Sequence, residues 1–244
     1  MRLLIDAGNT RLKWRLEQGG IIAREGSALL DSANPLAHIE GSLNSVSRVA
    51  VSTVIHEDAR QRLLSYLMQR VPGPVNFYWA EGQRCGLLNS YEDVKTMGSD
   101  RWHGMYGAWR HYRCGCAVID AGSAITVDYV SKEGKHLGGY ILPGLQMMLR
   151  SLRSDAARIA FEPAHVSRIE PGNNTAECVN QGLSWLSQAM IDRIRSDASE
   201  FELPQTLVTG GDAERLFTLG VDGVHHPSLV LDGLGYIDNE AHGE

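Results

Sequence analysis

Short stretches of alternating apolar and polar residues, separated by small turn residues, open the chain. An apolar run leads into Asp6, and two further alternating segments follow over residues 11–16 and 21–26. A period of two is typical of β-strands, and the Gly19-Gly20 pair between the last two segments marks a tight turn. The pattern therefore predicts a three-stranded meander at the amino-terminus.

The same pattern returns in the second half of the chain. Leu4-Ile5-Asp6-Ala7-Gly8 is matched 114 residues later by Val118-Ile119-Asp120-Ala121-Gly122, and predicted strands over residues 125–130 and 136–142 follow. An internal repeat of this kind indicates two topologically similar units. We therefore predict one half over residues 1–115 and a second half over residues 116–244.

Helical periodicity follows each predicted meander. Apolar residues recur every three or four positions between His56 and Val71, and again between Cys178 and Ile194. This spacing puts the apolar side chains on one face of an α-helix. The other predicted elements are strands over residues 49–53, 75–79 and 206–209 and a helix from Asp212. Together they predict an α/β fold with mixed sheets rather than a doubly wound parallel sheet.

Composition and charge narrow the class of protein. Of the 244 residues, 43% are hydrophobic and 21% are charged, which excludes disordered, collagen-like and disulfide-scaffold chains. Residues 1–120 carry 14 basic and 12 acidic side chains, and residues 121–244 carry 9 and 17, so the negative charge lies in the second half. An acidic half argues against a nucleic acid or an anionic membrane as the main partner.

The cysteines and the apolar runs bear on the compartment. Cys85, Cys114, Cys116 and Cys178 lack the spacing of a disulfide framework or a zinc site, so we expect reduced thiols. The first residues contain no apolar core of a signal peptide, and no apolar run reaches the roughly 18 residues of a membrane span. We expect a soluble, cytoplasmic protein with no membrane contact.

The two Asp-Ala-Gly segments are candidate phosphate-binding turns. After Asp6, the amides of Gly8 to Arg11 can donate to phosphate oxygens, Thr10 adds a hydroxyl, and the carboxylate can hold a hydrated Mg²⁺. An ordinary β-turn explains one such segment equally well, but the second copy at Asp120 favours a phosphate site. The chain has neither a Walker A motif nor a Gly-x-Gly-x-x-Gly motif. Lys13 is a candidate for neutralising a transferred phosphoryl group, and an exposed position on an alternating strand explains it equally well.

Gly98-Ser99-Asp100-Arg101 is a second candidate site. A carboxylate beside a guanidinium can deprotonate a substrate hydroxyl while the arginine holds a polar part of the same substrate. The alternative is that Ser99 or Asp100 simply caps the helix that follows as far as His111. Glycine-rich segments at residues 138–144 and 209–212 indicate either close packing or contact with a nucleoside.

The order of these motifs resembles the type III pantothenate kinases over nearly the whole chain. The resemblance rests on residues 6–10, Tyr91, and the segments at 98–102, 120–126, 138–144, 174–176 and 209–212. It implies the actin, hexokinase and heat-shock-chaperone ATPase superfold, with two ribonuclease-H-like halves and ATP between them. The repeat described above agrees with that expectation.

The resemblance also implies roles for individual residues. Asp100 matches the general base, and Asp120 matches a position associated with a monovalent cation, K⁺ or NH₄⁺. Ser123 stands where the family has a Thr or Ser that contacts ATP. The first phosphate-binding segment corresponds to Asp6, Ala7, Gly8, Asn9, Thr10, Arg11, Leu12 and Lys13. The pantothenate contacts correspond to Tyr91, Gly98, Ser99, Asp100, Arg101 and Thr175, the last supplied across a homodimer interface.

The activity implied by the resemblance is ATP-dependent phosphorylation of the 4′-hydroxyl of pantothenate, the first step of coenzyme A synthesis, with Mg²⁺ accompanying ATP. Departures from the family pattern at Ser123, Val94 and Met97 affect loop geometry more than chemistry. One alternative is another small-molecule kinase or a phosphatase of the same superfold. A second is a non-catalytic regulatory member, since some members were named as accessory factors for virulence gene expression.

Overall fold

A computed structural model describes residues 1–155, 161–164 and 168–243 of the chain. The chain forms two compact units, one of Met1–Tyr112 with the last helix from Ser228 onward and one of Arg113–Pro227. Along the sequence, the first unit gives way to the second between Tyr112 and Arg113, whereas the predicted boundary was at residue 115. The last helix, however, belongs to the first unit, whereas the sequence analysis assigned it to the second half.

The first unit is built on a five-stranded mixed sheet with helices on both faces. Its strands are β1 (Arg2–Ala7), β2 (Arg11–Gln18), β3 (Ile21–Leu29), β4 (Arg48–Thr53) and β5 (Val75–Tyr78), with a separate hairpin of β6 (Gln83–Arg84) and β7 (Leu87–Leu88). Its helices are α1 (Glu40–Leu43), α2 (Glu57–Met68), α3 (Ser99–Tyr112) and the carboxyl-terminal α7 (Leu229–His242). The sheet order is β3-β2-β1-β4-β5, with β1 antiparallel to β2 and parallel to β4.

Alternation along β1 explains why the sheet is covered on both faces. Leu3 and Ile5 belong to a fully buried cluster with Leu63 and Leu67 of α2. Leu4 points to the opposite face, where it packs with Leu234 of α7. Because neighbouring side chains of a strand point to opposite faces, a strand covered on both sides must be apolar at almost every position.

Helices α3 and α7 approach each other closely because glycines line their contact. A Cβ atom at Gly233 would lie 1.8 Å from the carbonyl oxygen of His103, and one at Gly107 would lie 2.6 Å from that of Leu229. Neither position accepts a larger residue without moving the helices apart. Gly233 interrupts the helical pattern of the last segment, which is why the periodicity did not predict α7.

The second unit repeats the sheet of the first. Its strands are β8 (Cys116–Ala121), β9 (Ala124–Val130), β10 (His136–Pro143), β11 (Gln205–Thr209) and β12 (Val224–His225). Its helices are α4 (Leu145–Asp155), α5 (Thr175–Glu200) and α6 (Ala213–Thr218). The order β10-β9-β8-β11-β12 has the same pattern of neighbours as in the first unit, with β8 antiparallel to β9 and parallel to β11. The predicted repeat and the predicted mixed α/β fold are confirmed.

The core of the second unit lies between its sheet and α5. Ile119 on β8 and Val127 on β9 are buried against Ile191 and Ile194 of that helix. Helix α5 is longer than the predicted segment because it also contains buried polar positions. Asp197, which breaks the apolar pattern, is 2% exposed and accepts a hydrogen bond of 2.8 Å from the Tyr129 hydroxyl.

None of the described helices combines the length and the apolar composition that are needed to cross a membrane.

A buried carboxylate connects α7 to three strands of the first unit. Asp238, which is fully buried, lies 3.0 Å from the guanidinium of Arg2 and 2.9 Å from that of Arg48. It also accepts a 2.9 Å hydrogen bond from the hydroxyl of Tyr78, and burial together with this carboxylate raises the pKa of Tyr78. The helix is therefore held to β1, β4 and β5 by charge as well as by apolar contact.

We expect Asp238→Ala to lower the free energy of unfolding by about 3–5 kcal/mol, because it removes the fully buried partner that Arg48 and Arg2 share and leaves Arg2 with Glu17 alone. Glu57→Gln is the control, since Glu57 pairs with Arg60 on an exposed helix surface, where solvent screens the charges and the free energy of unfolding should change little. Urea unfolding of the two variants measures the difference, and equal losses would contradict this role of Asp238.

Candidate active site

The first Asp-Ala-Gly turn lies at the carboxyl end of β1. The amide of Gly8 donates to the carbonyl oxygen of Arg11 over 3.0 Å, which closes the turn between β1 and β2. In the strand register, Asp6 lies opposite Lys13 on β2 and beside Ser52 on β4. Residues in register on neighbouring strands point to the same face, so a cation, a carboxylate and a hydroxyl form one polar row across the sheet.

The start of α3 is attached to the carboxyl end of β4 by a serine hydroxyl. The Ser99 hydroxyl accepts a 2.9 Å hydrogen bond from the Thr53 amide and donates a 2.8 Å hydrogen bond to the Thr53 carbonyl oxygen. Thr53 in turn pairs in register with Ala7, and its hydroxyl donates to the carbonyl oxygen of Ala7 over 3.2 Å. The Gly98–Arg101 segment and the Asp6 turn are therefore brought to the same end of the sheet.

The two capping alternatives resolve differently. Ser99 is bound to β4 and not to an amide of its own helix, so it is not the cap. The carboxylate of Asp100 accepts a 2.7 Å hydrogen bond from the Arg101 amide, so it does lie at the first turn of α3. The positive end of the helix dipole stabilises a negative carboxylate there. Position alone is compatible with either a structural or a catalytic role for Asp100.

Gly98 leaves room for the Asp100 carboxylate. A Cβ atom at residue 98 would lie 2.6 Å from Oδ1 of Asp100 and 3.4 Å from a methyl group of Val54. Any larger residue would push the carboxylate out of its position. The glycine therefore has a steric reason that is local to the site.

Tyr91 and Arg101 lie together. The Arg101 guanidinium donates to the Tyr91 hydroxyl and lies 5.4 Å from the centre of its ring, while only 7% of Arg101 is exposed. Tyr91 is held in turn by Asn89, whose side-chain oxygen accepts the Tyr91 amide over 3.0 Å. An ordered, largely buried guanidinium beside a phenol suits the binding of a polar or anionic substrate group.

The structure adds two residues that the sequence analysis missed. The imidazole of His103 lies 2.8 Å from the Ser52 hydroxyl, which lies 3.2 Å from the Ser99 hydroxyl. Burial, reinforced by the charge of Arg84, lowers the pKa of His103 to about 3. The available signal was weak: two consecutive hydroxyl residues, Ser52 and Thr53, end an apolar strand that runs parallel to β1.

The second Asp-Ala-Gly turn lies at the corresponding place in the second unit. Asp120 ends β8 beside Thr126 and Thr209 in the register, and the Gly122 amide donates to the carbonyl oxygen of Ala124 over 2.9 Å. Gly210 has a φ of +96°, and a Cβ atom there would lie 2.5 Å from Oδ1 of Asp120. The glycine-rich segment after β11 therefore packs directly on this turn.

Ser123 and Thr175 complete the predicted residues of the second unit. The Ser123 carbonyl oxygen accepts a 3.2 Å hydrogen bond from the Gly144 amide, which ties the turn to the end of β10. Thr175 is exposed at the first position of α5, where Asn174 caps the helix by accepting the Glu177 amide over 3.0 Å. A groove of about 610 Å³ lies against Thr175 and is lined by Leu152, Cys178, Val179 and Leu183.

Comparison with known proteins identifies the family. A sequence model of the type III pantothenate kinases matches residues 2–197. A type III pantothenate kinase from Marinobacter nauticus is 52% identical over 235 residues, which cover 96% of each chain. The chain belongs to the type III pantothenate kinase family. A second relative of the same name, from Alcanivorax borkumensis, is 31% identical and covers 96% of this chain and 97% of its own.

Solved structures show that this chain has the predicted superfold. A conserved Baf-family protein of Campylobacter jejuni, a candidate transcriptional activator by its name, has a TM-score of 0.64 at 20% identity and covers 99% of this chain and 100% of its own. A candidate N-acetylmannosamine kinase from Listeria monocytogenes has a TM-score of 0.52 at 13% identity and covers 99% of each chain. At these identities, the structures establish the fold and the sequence relatives establish the family.

The lowered pKa of His103 predicts a specific dependence of stability on pH. The folded-state pKa of about 3 lies below the ordinary 6.5, so the unfolded chain takes up the proton first as the pH falls. This contribution to stability is complete above pH 6.5 and is lost as the pH falls towards 3. Between pH 7 and pH 5, the loss of this contribution should lower the free energy of unfolding by about 2 kcal/mol.

Urea unfolding of the wild type and of His103→Leu at pH 7 and pH 5 checks this dependence. The other titratable groups are shared, so the wild type should lose more stability than the variant on acidification. An equal loss in both proteins would contradict the neutral, buried state of this imidazole.

Proposed function

We propose that the chain transfers the γ-phosphoryl group of ATP to the 4′-hydroxyl of pantothenate, with Asp100 as the general base. Membership of the type III pantothenate kinase family gives the overall reaction, phosphorylation of pantothenate for coenzyme A biosynthesis. The observation that supports the role of Asp100 is its placement. Its carboxylate lies in the first turn of α3, and Ser99 ties that turn to the strand end next to the Asp6 turn.

The transfer needs positioning more than covalent chemistry. A bond forms between the substrate oxygen and phosphorus as the bond from phosphorus to the bridging β–γ oxygen breaks. Asp100 accepts the proton that the hydroxyl loses, and Arg101 with Tyr91 orients the polar groups of pantothenate. These three residues are already in contact or adjacent in the chain, so the substrate meets a site whose parts are held together.

The Asp6 turn is proposed to bind the phosphate groups of ATP. The Gly8 amide is used within the turn, where it donates to the Arg11 carbonyl oxygen. The donors proposed for phosphate are therefore the amides of Asn9 to Arg11 and the Thr10 hydroxyl, and Lys13 supplies the positive charge opposite Asp6. The kinase reaction of the family uses ATP with a divalent cation, and a carboxylate with a hydroxyl is an oxygen donor set that fits Mg²⁺. When bound, Mg²⁺ offsets the phosphate charge during transfer.

The second unit is proposed to supply Ser123 as an ATP contact and Asp120 as a ligand of K⁺ or NH₄⁺. Gly210 lets the segment after β11 pack closely against Asp120, because a Cβ atom there would come within 2.5 Å of its Oδ1. The Asp120 carboxylate would be costly to leave unpaired beside phosphate groups, so a monovalent cation is a suitable partner.

We expect the turnover number to fall roughly tenfold or more when Na⁺ replaces K⁺ or NH₄⁺, since a charge next to the phosphates loses its partner. The measurement is steady-state turnover in buffers matched for ionic strength, with Asp120→Asn as the matched variant that should no longer respond to the cation. A wild-type rate that is indifferent to the choice of monovalent ion would remove Asp120 from this role.

A homodimer is also part of the proposal, because Thr175 is expected to reach pantothenate in the partner subunit. Helix α5, which begins at Thr175, exposes two large apolar side chains, Trp185 at 59% and Leu186 at 48%. Apolar surface of this kind is typical of residues that a second chain covers. Light scattering of active enzyme should return twice the 26.8 kDa of one chain, and a monomer mass would contradict the proposal.

Release of ADP that depends on pantothenate tests the proposed reaction. Pantothenate should support turnover, whereas acetate, glycerol and a hexose should not, because the proposal assigns Tyr91 and Arg101 to binding pantothenate. Equal rates with these acceptors would favour another small-molecule kinase of the same superfold. No turnover with pantothenate at any ATP concentration would favour a non-catalytic regulatory member.

Asp100→Asn separates the general base from a helix cap. Asparagine has nearly the same shape and its side-chain oxygen can still accept the Arg101 amide, so the fold should be unchanged. The turnover number should fall by roughly 10²- to 10⁴-fold, the usual contribution of a positioned proton acceptor. A folded variant that retains more than about a tenth of the wild-type rate would show that Asp100 is not the base.

A further inference from the structure

A continuous hydrogen-bond chain runs behind the Asp100 site. The Ser99 hydroxyl donates its hydrogen to the Thr53 carbonyl oxygen, so it accepts a hydrogen bond from the Ser52 hydroxyl. The Ser52 hydroxyl therefore donates to Ser99 and accepts from the His103 ring. Because each hydroxyl donates once, all of these hydrogen bonds form when Nδ1 of His103 carries the proton. The donors then point in one direction, from His103 to Thr53.

The imidazole of His103 has little structural reason to be where it is. The ring is fully buried, and among the residues that the structure describes its Nε2 has no hydrogen-bond partner. A buried polar atom without a partner costs free energy that an apolar side chain of similar size would avoid. Its bond to Ser52 is the feature that favours histidine at this position.

The hydrogen-bond chain lies next to residues that are proposed to take part in the reaction. Ser52 lies beside Asp6 in the register of β1 and β4, and Ser99 immediately precedes Asp100. His103 lies on the next turn of the same helix as Asp100. The hydrogen bonds therefore connect the polar row that holds the proposed phosphate turn to the first turn of α3.

We propose that His103, acting through Ser52 and Ser99, is a positioning residue that sets the direction of the Asp100 carboxylate for phosphoryl transfer. The inference rests on the proposed function and adds to it two residues that do not touch the substrate. Because a displacement of about 1 Å can cost 10²-fold in rate, small changes in this chain should appear in the chemical step.

A double-mutant cycle of His103→Leu and Ser52→Ala tests the proposal. Each single change should lower the turnover number by about 10- to 100-fold and leave both Michaelis constants within about threefold of wild type. The double variant should be no slower than the slower single variant, because both changes break the same chain. His103→Asn, whose amide can donate from near the Nδ1 position, should restore most of the lost rate.

Met105→Ala is the matched control. Met105 is fully buried on the same helix, so its truncation weakens the packing of α3 but leaves the hydrogen bonds from His103 to Thr53 in place. The turnover number should therefore stay near wild type. Independent, multiplying effects of the two changes, or an undiminished rate in folded Ser52→Ala, would overturn the proposal. Ser52→Ala carries the test by itself where His103→Leu does not fold. A wild-type enzyme without pantothenate-dependent turnover would instead overturn the proposed function, and this inference with it.

Discussion

The hydroxyl of Ser99 makes the interaction on which the candidate site depends. It pairs with both the amide and the carbonyl oxygen of Thr53, the last residue of β4, and is 1% exposed. In a buried environment both backbone groups need partners, so these two hydrogen bonds are costly to break. Because it is made by the first residue of α3, the helix can start in only one place relative to the sheet. Asp100, the next residue, inherits that position.

The two units share one sheet topology and differ at the strand end beside the aspartate. Both sheets place an aspartate at the end of the central strand, between an antiparallel and a parallel neighbour. In the first unit a helix beginning with Ser99 is attached at the parallel neighbour. In the second unit Gly210 occupies the corresponding strand end and packs on Asp120 itself. One strand end thus carries a proposed base, and the other packs a glycine backbone against a carboxylate.

Local patterns predicted the sheet better than they predicted the site. The strands and α2 were predictable because their apolar residues recur with a fixed period. Helix α7 was not, since Gly233 serves its contact with α3 and interrupts that period. The Asp6 turn and Asp100 were visible as motifs, whereas the contacts of Ser52 with Ser99 and with His103 join residues 47 and 51 positions apart. Such pairs follow from the topology, which single-residue patterns do not contain.

Rapid-quench measurement of phosphoryl transfer by Ser99→Ala, with ATP and pantothenate both saturating, tests the central claim most directly. The substitution removes both bonds to Thr53 and leaves Asp100 in the sequence. The account predicts a folded protein whose rate constant for the chemical step is about 100-fold lower, because the carboxylate is no longer held in place. A folded variant with the wild-type rate constant would contradict the claim that the two hydrogen bonds between Ser99 and Thr53 position the base.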